Sequence, residues 1–192
     1  MAKESNFKNM TLTLLTVTLL ASASLGFVYS FTKGPIENAQ NAKINNAISQ
    51  VLPEFDNLPS AKKFTREVDG GILTFYPATK GGEPVGMAVQ TFTKNGFSGQ
   101  IDLMVGFLSD GTIHAIEVIA HKETPGLGDK MESGKSNFSV QFEGKNPETF
   151  KLAVRKDGGE VDAITASTIS SRAYCEAVQR AYDAIIKEGG EK

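Results

Sequence analysis

Hydrophobic residues are spaced differently in successive parts of the chain. Met10 to Phe31 carries no charged side chain over about 22 residues, enough to cross a hydrocarbon core of roughly 30 Å as a helix. Its threonine and serine hydroxyls can bond back to the preceding helical turn, which makes their polarity tolerable in lipid. Pro35 to Leu52 places Ile36, Ala39, Ala42, Ile44, Ala47, Ile48 and Val51 on a mostly apolar face. This predicts a second helix, stopping near Pro53, whose apolar face suits either the following domain or a partner. The middle of the chain changes period. Ile101, Leu103, Val105 and Phe107 recur at every second position, as do Phe150, Leu152 and Val154 between Lys151, Ala153 and Arg155. Ile72 to Pro77, Val85 to Thr93 and Thr112 to Ala120 are further strand candidates, divided by glycine, proline, aspartate and asparagine. From Ile169 to Lys187 the helical period returns, with Tyr174, Val178, Ala181 and Ile185 at steps of four, three and four.

The expected fold class is α+β: a single N-terminal transmembrane helix, then one domain with a mainly antiparallel sheet and flanking helices. The 192-residue chain, less its anchor, is of ordinary single-domain size. The expected division is a cytoplasmic tail 1–9, an anchor 10–31 and an extracytoplasmic domain 32–192. Lys3, Lys8 and the amino terminus outweigh Glu4 before the span, which places the tail in the cytoplasm and the domain on the outer, periplasmic side of the inner membrane. The competing reading is a secretory signal cleaved after Ala23, since Ala21-Ser22-Ala23 follows the apolar run Leu12 to Leu20. Apolar residues resume through Leu25, Phe27, Val28, Tyr29 and Phe31, which favours an uncleaved anchor; in both readings the domain is exported.

Charge and cysteine usage narrow the function. A formal net charge of -2 without a basic cluster leaves no footprint for nucleic acid. Cys175 is the sole cysteine, so the chain forms no internal disulfide and cannot hold an iron-sulfur cluster by itself; it is expected to pack in the final helix. His114 and His121 have no accompanying cluster of ligands, so no metal site is expected and both are taken as structural or surface residues. No triad, paired-carboxylate or phosphate-loop pattern points to an independent hydrolase or nucleotide-driven enzyme.

Candidate chemistry gathers in two segments. In Asp162-Ala-Ile-Thr165-Ala-Ser-Thr168-Ile-Ser-Ser171, Thr168 stands where a hydroxyl-rich stretch enters the last helix. Unpaired N–H groups and the positive end of the helix dipole would favour a phosphate at Thr168, Ser170 or Ser171, and Arg172 adds a cation. On spacing alone, the commoner meaning of such a segment is an N-cap. The other segment is His121-Lys-Glu123-Thr124-Pro125-Gly126-Leu127-Gly128-Asp129-Lys130. Thr124 to Leu127 fits a type II turn, with proline presetting the first central residue and glycine supplying positive φ at the second. By itself the commoner meaning of such a segment is a surface hairpin turn.

Together the two segments resemble the FMN-binding subunits of membrane redox pumps, most closely the G subunit of Rnf-type ion-translocating electron transport complexes. The C subunit of the Na+-translocating NADH:quinone oxidoreductase is a relative, usually longer. Val105-Gly106, Asp110-Gly111 and Lys156-Asp157-Gly158-Gly159 also resemble the family pattern, which covers roughly Gly99 to Lys187. The resemblance implies FMN attached through a phosphoester to Thr168, installed by a flavin transferase that recognises Asp162, Thr165 and Thr168. It implies flavin contacts from Glu123, Thr124, Gly126, Leu127, Gly128 and Ser171. It further implies a redox subunit that works with the other membrane subunits of a ferredoxin:NAD oxidoreductase, without complete activity alone. Ala166-Ser167 departs from the family's usual Gly-Ala. The alternatives are a C-type subunit or another exported covalent flavoprotein, and a non-redox membrane-tethered adaptor.

Overall fold

The computed structural model describes residues 6–189, so Lys3, Glu4 and the amino group lie outside it. The chain divides into two units, Met1–Ala42 and Lys43–Lys192. Helix α1 (Phe7–Val51) makes up the described part of the first unit and contributes its last turns to the second. The interruption expected between the uncharged span and the following helix is absent, because Gly34 and Pro35 lie inside α1. A proline there forfeits one backbone hydrogen bond, and the helix continues on either side of it. In the first unit, Leu12, Leu14, Leu19, Phe27 and Phe31 are exposed. The hydroxyls of Thr11, Thr13, Thr16 and Thr18 donate to the carbonyls of Phe7, Asn9, Leu12 and Leu14 at 2.7–2.9 Å, as expected for polar groups in an apolar helix. By length and apolarity this helix can cross a membrane.

The second unit is built on an antiparallel meander of β1 (Phe64–Val68), β2 (Gly71–Lys80), β3 (Glu83–Gly96), β4 (Gly99–Leu108) and β5 (Ile113–Ala120), in that spatial order. Alternation assigns one set of side chains to each face. Leu73, Phe75, Val89, Leu103, Val105 and Phe107 face helix α2 (Thr168–Gly189) and pack with its Tyr174, Ala177, Val178 and Ala181. Tyr76, Ala88 and Met104 face the other way and are covered by Ala47, Ile48, Val51 and Leu52 at the end of α1. Each large apolar side chain buried there contributes roughly 1.5–3 kcal/mol, which suffices to seat two helical turns. The carbonyl of Val51, orphaned at the helix end, accepts a hydrogen bond from His114 Nδ1 at 3.1 Å. Cys175 is buried in α2, and burial pushes its thiol up to about 12.

The alternating row Phe150-Leu152-Val154 does not form a strand. Leu152 and Val154 are buried, but the segment folds on itself: Ala153 N–H donates to Lys151 C=O at 2.7 Å and Lys151 N–H to the Glu160 carboxylate at 2.7 Å. Its sheet-like pairing is limited to an isolated parallel bridge from Val154 to Val161. Strand β1, by contrast, forms where the pattern gave no signal, since its apolar residues stand only at its ends.

Candidate functional site

Both chemistry-bearing segments lie beyond β5, in a largely irregular stretch whose second segment runs into the first turn of α2, and Glu123 brings them together. Its buried carboxylate accepts Ser98 N–H at 2.9 Å through Oε1 and the Ser170 hydroxyl at 2.6 Å through Oε2. One side chain thereby ties the β3–β4 hairpin, the Thr124–Leu127 turn and the first turn of α2. The Glu123 N–H donates to His121 Nδ1 at 2.9 Å, so that nitrogen is the acceptor and the ring proton sits on Nε2, which meets Glu132 Oε1 at 2.6 Å. This hydrogen bond, followed by that from Lys135 at 3.0 Å, holds the Glu132 carboxyl below the usual carboxylate range. Burial raises Asp129, but Lys135 at 3.1 Å and the Gly126 N–H more than offset it, so that this carboxyl is also lowered.

The Thr124–Leu127 turn closes with Leu127 N–H to Thr124 C=O at 3.1 Å, and Gly126 has φ +78°, as a type II turn requires. No atom lies within 4 Å of where a Gly126 Cβ would stand, so backbone conformation alone demands glycine. Gly128 answers a different need: a Cβ there would meet Glu123 Oε2 at 2.6 Å and Ser170 Oγ at 2.9 Å.

The other segment enters α2 through a second turn, with Ser167 N–H to Ile164 C=O at 2.9 Å. Its third residue, Ala166, has φ +61° and is the only non-glycine residue at positive φ among the described residues. Ser171 is fully buried and committed to this turn: its Oγ accepts Ile164 N–H at 2.9 Å and donates to Ser167 C=O at 3.0 Å. Thr168 is the first residue of α2 and half-buried.

A cavity of about 310 Å³ opens between these segments. Glu123, Thr124, Leu127 and Gly128 line one side, Ala166 to Ser170 the other, and Phe97 at the β3–β4 tip completes it. Ser170 forms the wall where a Ser171 contact was expected, and Gly126 supports the turn without lining the cavity. Phe97, Leu127 and Ile169 are 67%, 40% and 47% exposed, so the rim is apolar and uncovered. Phe97 has no place among the residues expected from sequence. Its signal was an aromatic residue between the turn residues Gly96 and Ser98-Gly99.

Asp162 and Thr165 stand outside the cavity on exposed backbone, Asp162 paired with Arg155 Nε at 2.6 Å. Arg172, the cation expected beside a phosphate, is turned away. It grips Asp157 at 2.6 and 2.7 Å, holding that carboxyl below its ordinary range, and lines a larger groove of about 840 Å³ between β1 and α2. That groove contains no residue of either segment, and its Arg180 is likewise paired, with Glu176 at 2.9 Å. The smaller cavity offers a helix start for a phosphate, a hydroxyl at that start and an apolar rim for a flat ring. Its volume is at the low end for ligand sites, so a ring system would be left partly open.

The FMN-binding domain family matches residues 96–183, a stretch that begins at the β3–β4 tip and includes both segments. The chain is similar over most of its length to the G subunits of ion-translocating oxidoreductase complexes. It is 34% identical to the one from Vibrio cholerae over 183 residues, covering 88% of this chain and 87% of the relative. It is 36% identical to the one from Shewanella loihica, covering 93% and 88%, and 42% identical to the one from Shewanella baltica, covering 85% and 82%.

Proposed function

The chain belongs to the family of ion-translocating oxidoreductase complex G subunits, and from that premise we propose that it carries FMN as a phosphoester on Thr168. It is a flavin-carrying subunit of an ion-translocating oxidoreductase. The observation that carries the attachment reading is the position of the Thr168 hydroxyl, at the start of α2 and in the wall of a cavity shared with the Thr124–Leu127 turn. When bound, FMN takes up and releases electrons singly or in pairs. Thr168 would anchor the phosphate, with N–H groups of the first helical turn facing its charge. Phe97, Leu127 and Ile169 would cover the faces and edge of the ring. Glu123 would keep both walls in place, its two oxygens already engaged by Ser98 and Ser170.

The role in the assembly follows the same reading. The subunit relays electrons within an Rnf-type complex between ferredoxin and NAD, the other membrane subunits carry the ion path, and it has no complete activity alone. A tethered cofactor suits a domain outside the cytoplasm, where free FMN would be lost by diffusion. The uncharged span 10–31 serves as the anchor, with the tail inside, the domain outside and residues 162–168 read by a flavin transferase.

Thr168→Ala tests the attachment. Expressed with a flavin transferase, the wild-type chain should gain the mass of FMN on the peptide containing Thr168 and keep its flavin fluorescence after denaturation. The alanine variant should lose both. Ser167, not Thr168, holds the position before the helix, so the substitution should change stability by no more than about 0.5 kcal/mol. Covalent flavin on the alanine variant would overturn the assignment. The same intact mass reads whether the chain keeps its first residues or starts after Ala23, and reduction of the flavin by a membrane-impermeant reagent from the outer side tests the orientation.

A further inference from the structure

The segment leading to Thr168 is held by a residue from outside both motifs. Gln141, in the short 3-10 turn Ser139–Phe142, turns its carboxamide to the backbone of Asp162. Asp162 N–H donates to Gln141 Oε1 at 2.7 Å, and Gln141 Nε2 donates to Asp162 C=O at 3.1 Å. One side chain thus satisfies both backbone groups of one residue, as a neighbouring strand would. The groups of Val161 are taken by Ala153 C=O at 3.0 Å and Arg155 N–H at 2.9 Å. Those of Ile164 are taken by Ser171 Oγ at 2.9 Å and Ser167 N–H at 2.9 Å. Gln141 therefore supplies the backbone tie between these two fixed points, and its removal would release Asp162 from both hydrogen bonds at once. The Asp162 carboxylate is held differently, by an ion pair with Arg155 in which both side chains are about two-thirds exposed. Such pairs exchange readily, so the carboxylate is available to a partner while its backbone is fixed.

We infer that Gln141 is a positioning residue for flavin transfer, holding the acceptor segment so that a transferase meets Asp162, Thr165 and Thr168 at a fixed spacing. This rests on the attachment reading above. In the transfer, Thr168 Oγ bonds to the flavin-side phosphorus of a flavin dinucleotide and its proton passes to a base on the transferase. The phosphoanhydride bond breaks, and a nucleoside monophosphate departs. Gln141 touches none of these atoms. Its contribution is preorganisation: without it the transferase must order the segment itself, and that cost falls on binding.

The test uses the full chain in detergent with a flavin transferase and a flavin dinucleotide, following covalent flavin against acceptor concentration. Gln141→Met keeps the bulk of the side chain and removes both hydrogen bonds to Asp162, together with a longer local one from Nε2 to Phe138 C=O at 3.3 Å. It should raise KM about tenfold, the worth of two net hydrogen bonds, and leave kcat within about twofold. Hydrogen exchange should quicken at the Asp162 amide and stay unchanged at Ile164. Gln141→Asn, which withdraws the amide by one methylene, should behave alike and carries the test if the methionine variant does not fold. Wild-type KM in the folded variant, a loss confined to kcat, or failure of both variants to fold would each overturn the inference. A wild-type chain that acquires no flavin at Thr168 would instead overturn the attachment reading on which the inference rests.

Discussion

Two turns line the same cavity, and they are held in shape by different means. In each, an N–H bonds back three residues, Leu127 to Thr124 at 3.1 Å and Ser167 to Ile164 at 2.9 Å, and in each the third residue has positive φ. The first turn places Gly126 there, preceded by proline, so its own sequence specifies its shape. The second places Ala166 there, where a β-carbon in the left-handed region costs about 1–2 kcal/mol. Contacts from elsewhere over-determine that conformation: Ser171 Oγ pins Ile164, Gln141 pins Asp162, and Glu123 holds Ser170. One wall of the cavity is therefore encoded locally, and the wall that carries Thr168 is encoded by the fold.

Glu123→Ala should break the comparison most completely, because it removes the side chain that joins the two turns. Two hydrogen bonds to a buried carboxylate are lost, each worth about 1.5–3 kcal/mol, so unfolding free energy should fall by roughly 3 kcal/mol or more. Urea titration measures this, and a loss under about 1 kcal/mol would show that the walls stand without the link. Gly126→Val attacks the locally encoded turn alone. A β-branched residue at φ +78° should cost about 2 kcal/mol and alter flavin absorbance or midpoint potential, while the proposed attachment at Thr168 should be retained. Wild-type spectrum and potential would remove this turn from the flavin's surroundings.

Ala166→Gly has the opposite sign. Relief of strain outweighs the added freedom of the unfolded chain, and stability should rise by roughly 0.5–1 kcal/mol, read as a higher Tm. A lower Tm would mean that Ala166 sits there without strain. Glu132→Gln gives the smallest effect and is visible through pH. The Glu132 carboxyl is lowered in the folded chain, so its contribution to stability is present above the unfolded value of about 4.3 and fades as pH falls through the folded one. The gap in urea midpoint between wild type and variant should therefore be full at neutral pH and narrow below about pH 4.3. A gap that stays constant down to about pH 3 would exclude the His121 and Lys135 contacts as its origin.

Period-two spacing was sufficient wherever a neighbouring strand existed. Ile101, Leu103, Val105 and Phe107 form one buried face of β4 as their spacing implies. Phe150, Leu152 and Val154 have the same spacing, but local hydrogen bonds with Lys151 and Glu160 displaced a ladder, and alternation alone cannot reveal that. Pro35 reads as a helix start in sequence, yet α1 runs through it, because loss of one hydrogen bond does not end a helix extended on both sides. At the site, the type II turn and the start of α2 were legible because both have local chemistry. The diversion of Arg172 to Asp157 and the grip of Gln141 on Asp162 were not, since each depends on a residue 15 or 21 positions away brought close by folding; the inward commitment of Ser171, though local, depends on the turn at Ala166 that periodicity does not show.

The burial of Cys175 bears on chemical durability. A reduced flavin open to solvent can pass electrons to dioxygen, and the peroxide formed attacks thiolates in preference to thiols. With its thiol pushed up to about 12, Cys175 holds on the order of one thiolate in 10⁵ at pH 7. Buried in α2, it is also closed to oxidants and to disulfide exchange. Helix α2, which begins at Thr168 in the wall of the cavity, thus holds the chain's sole cysteine in a form poorly suited to scavenging peroxide or cross-linking neighbouring copies.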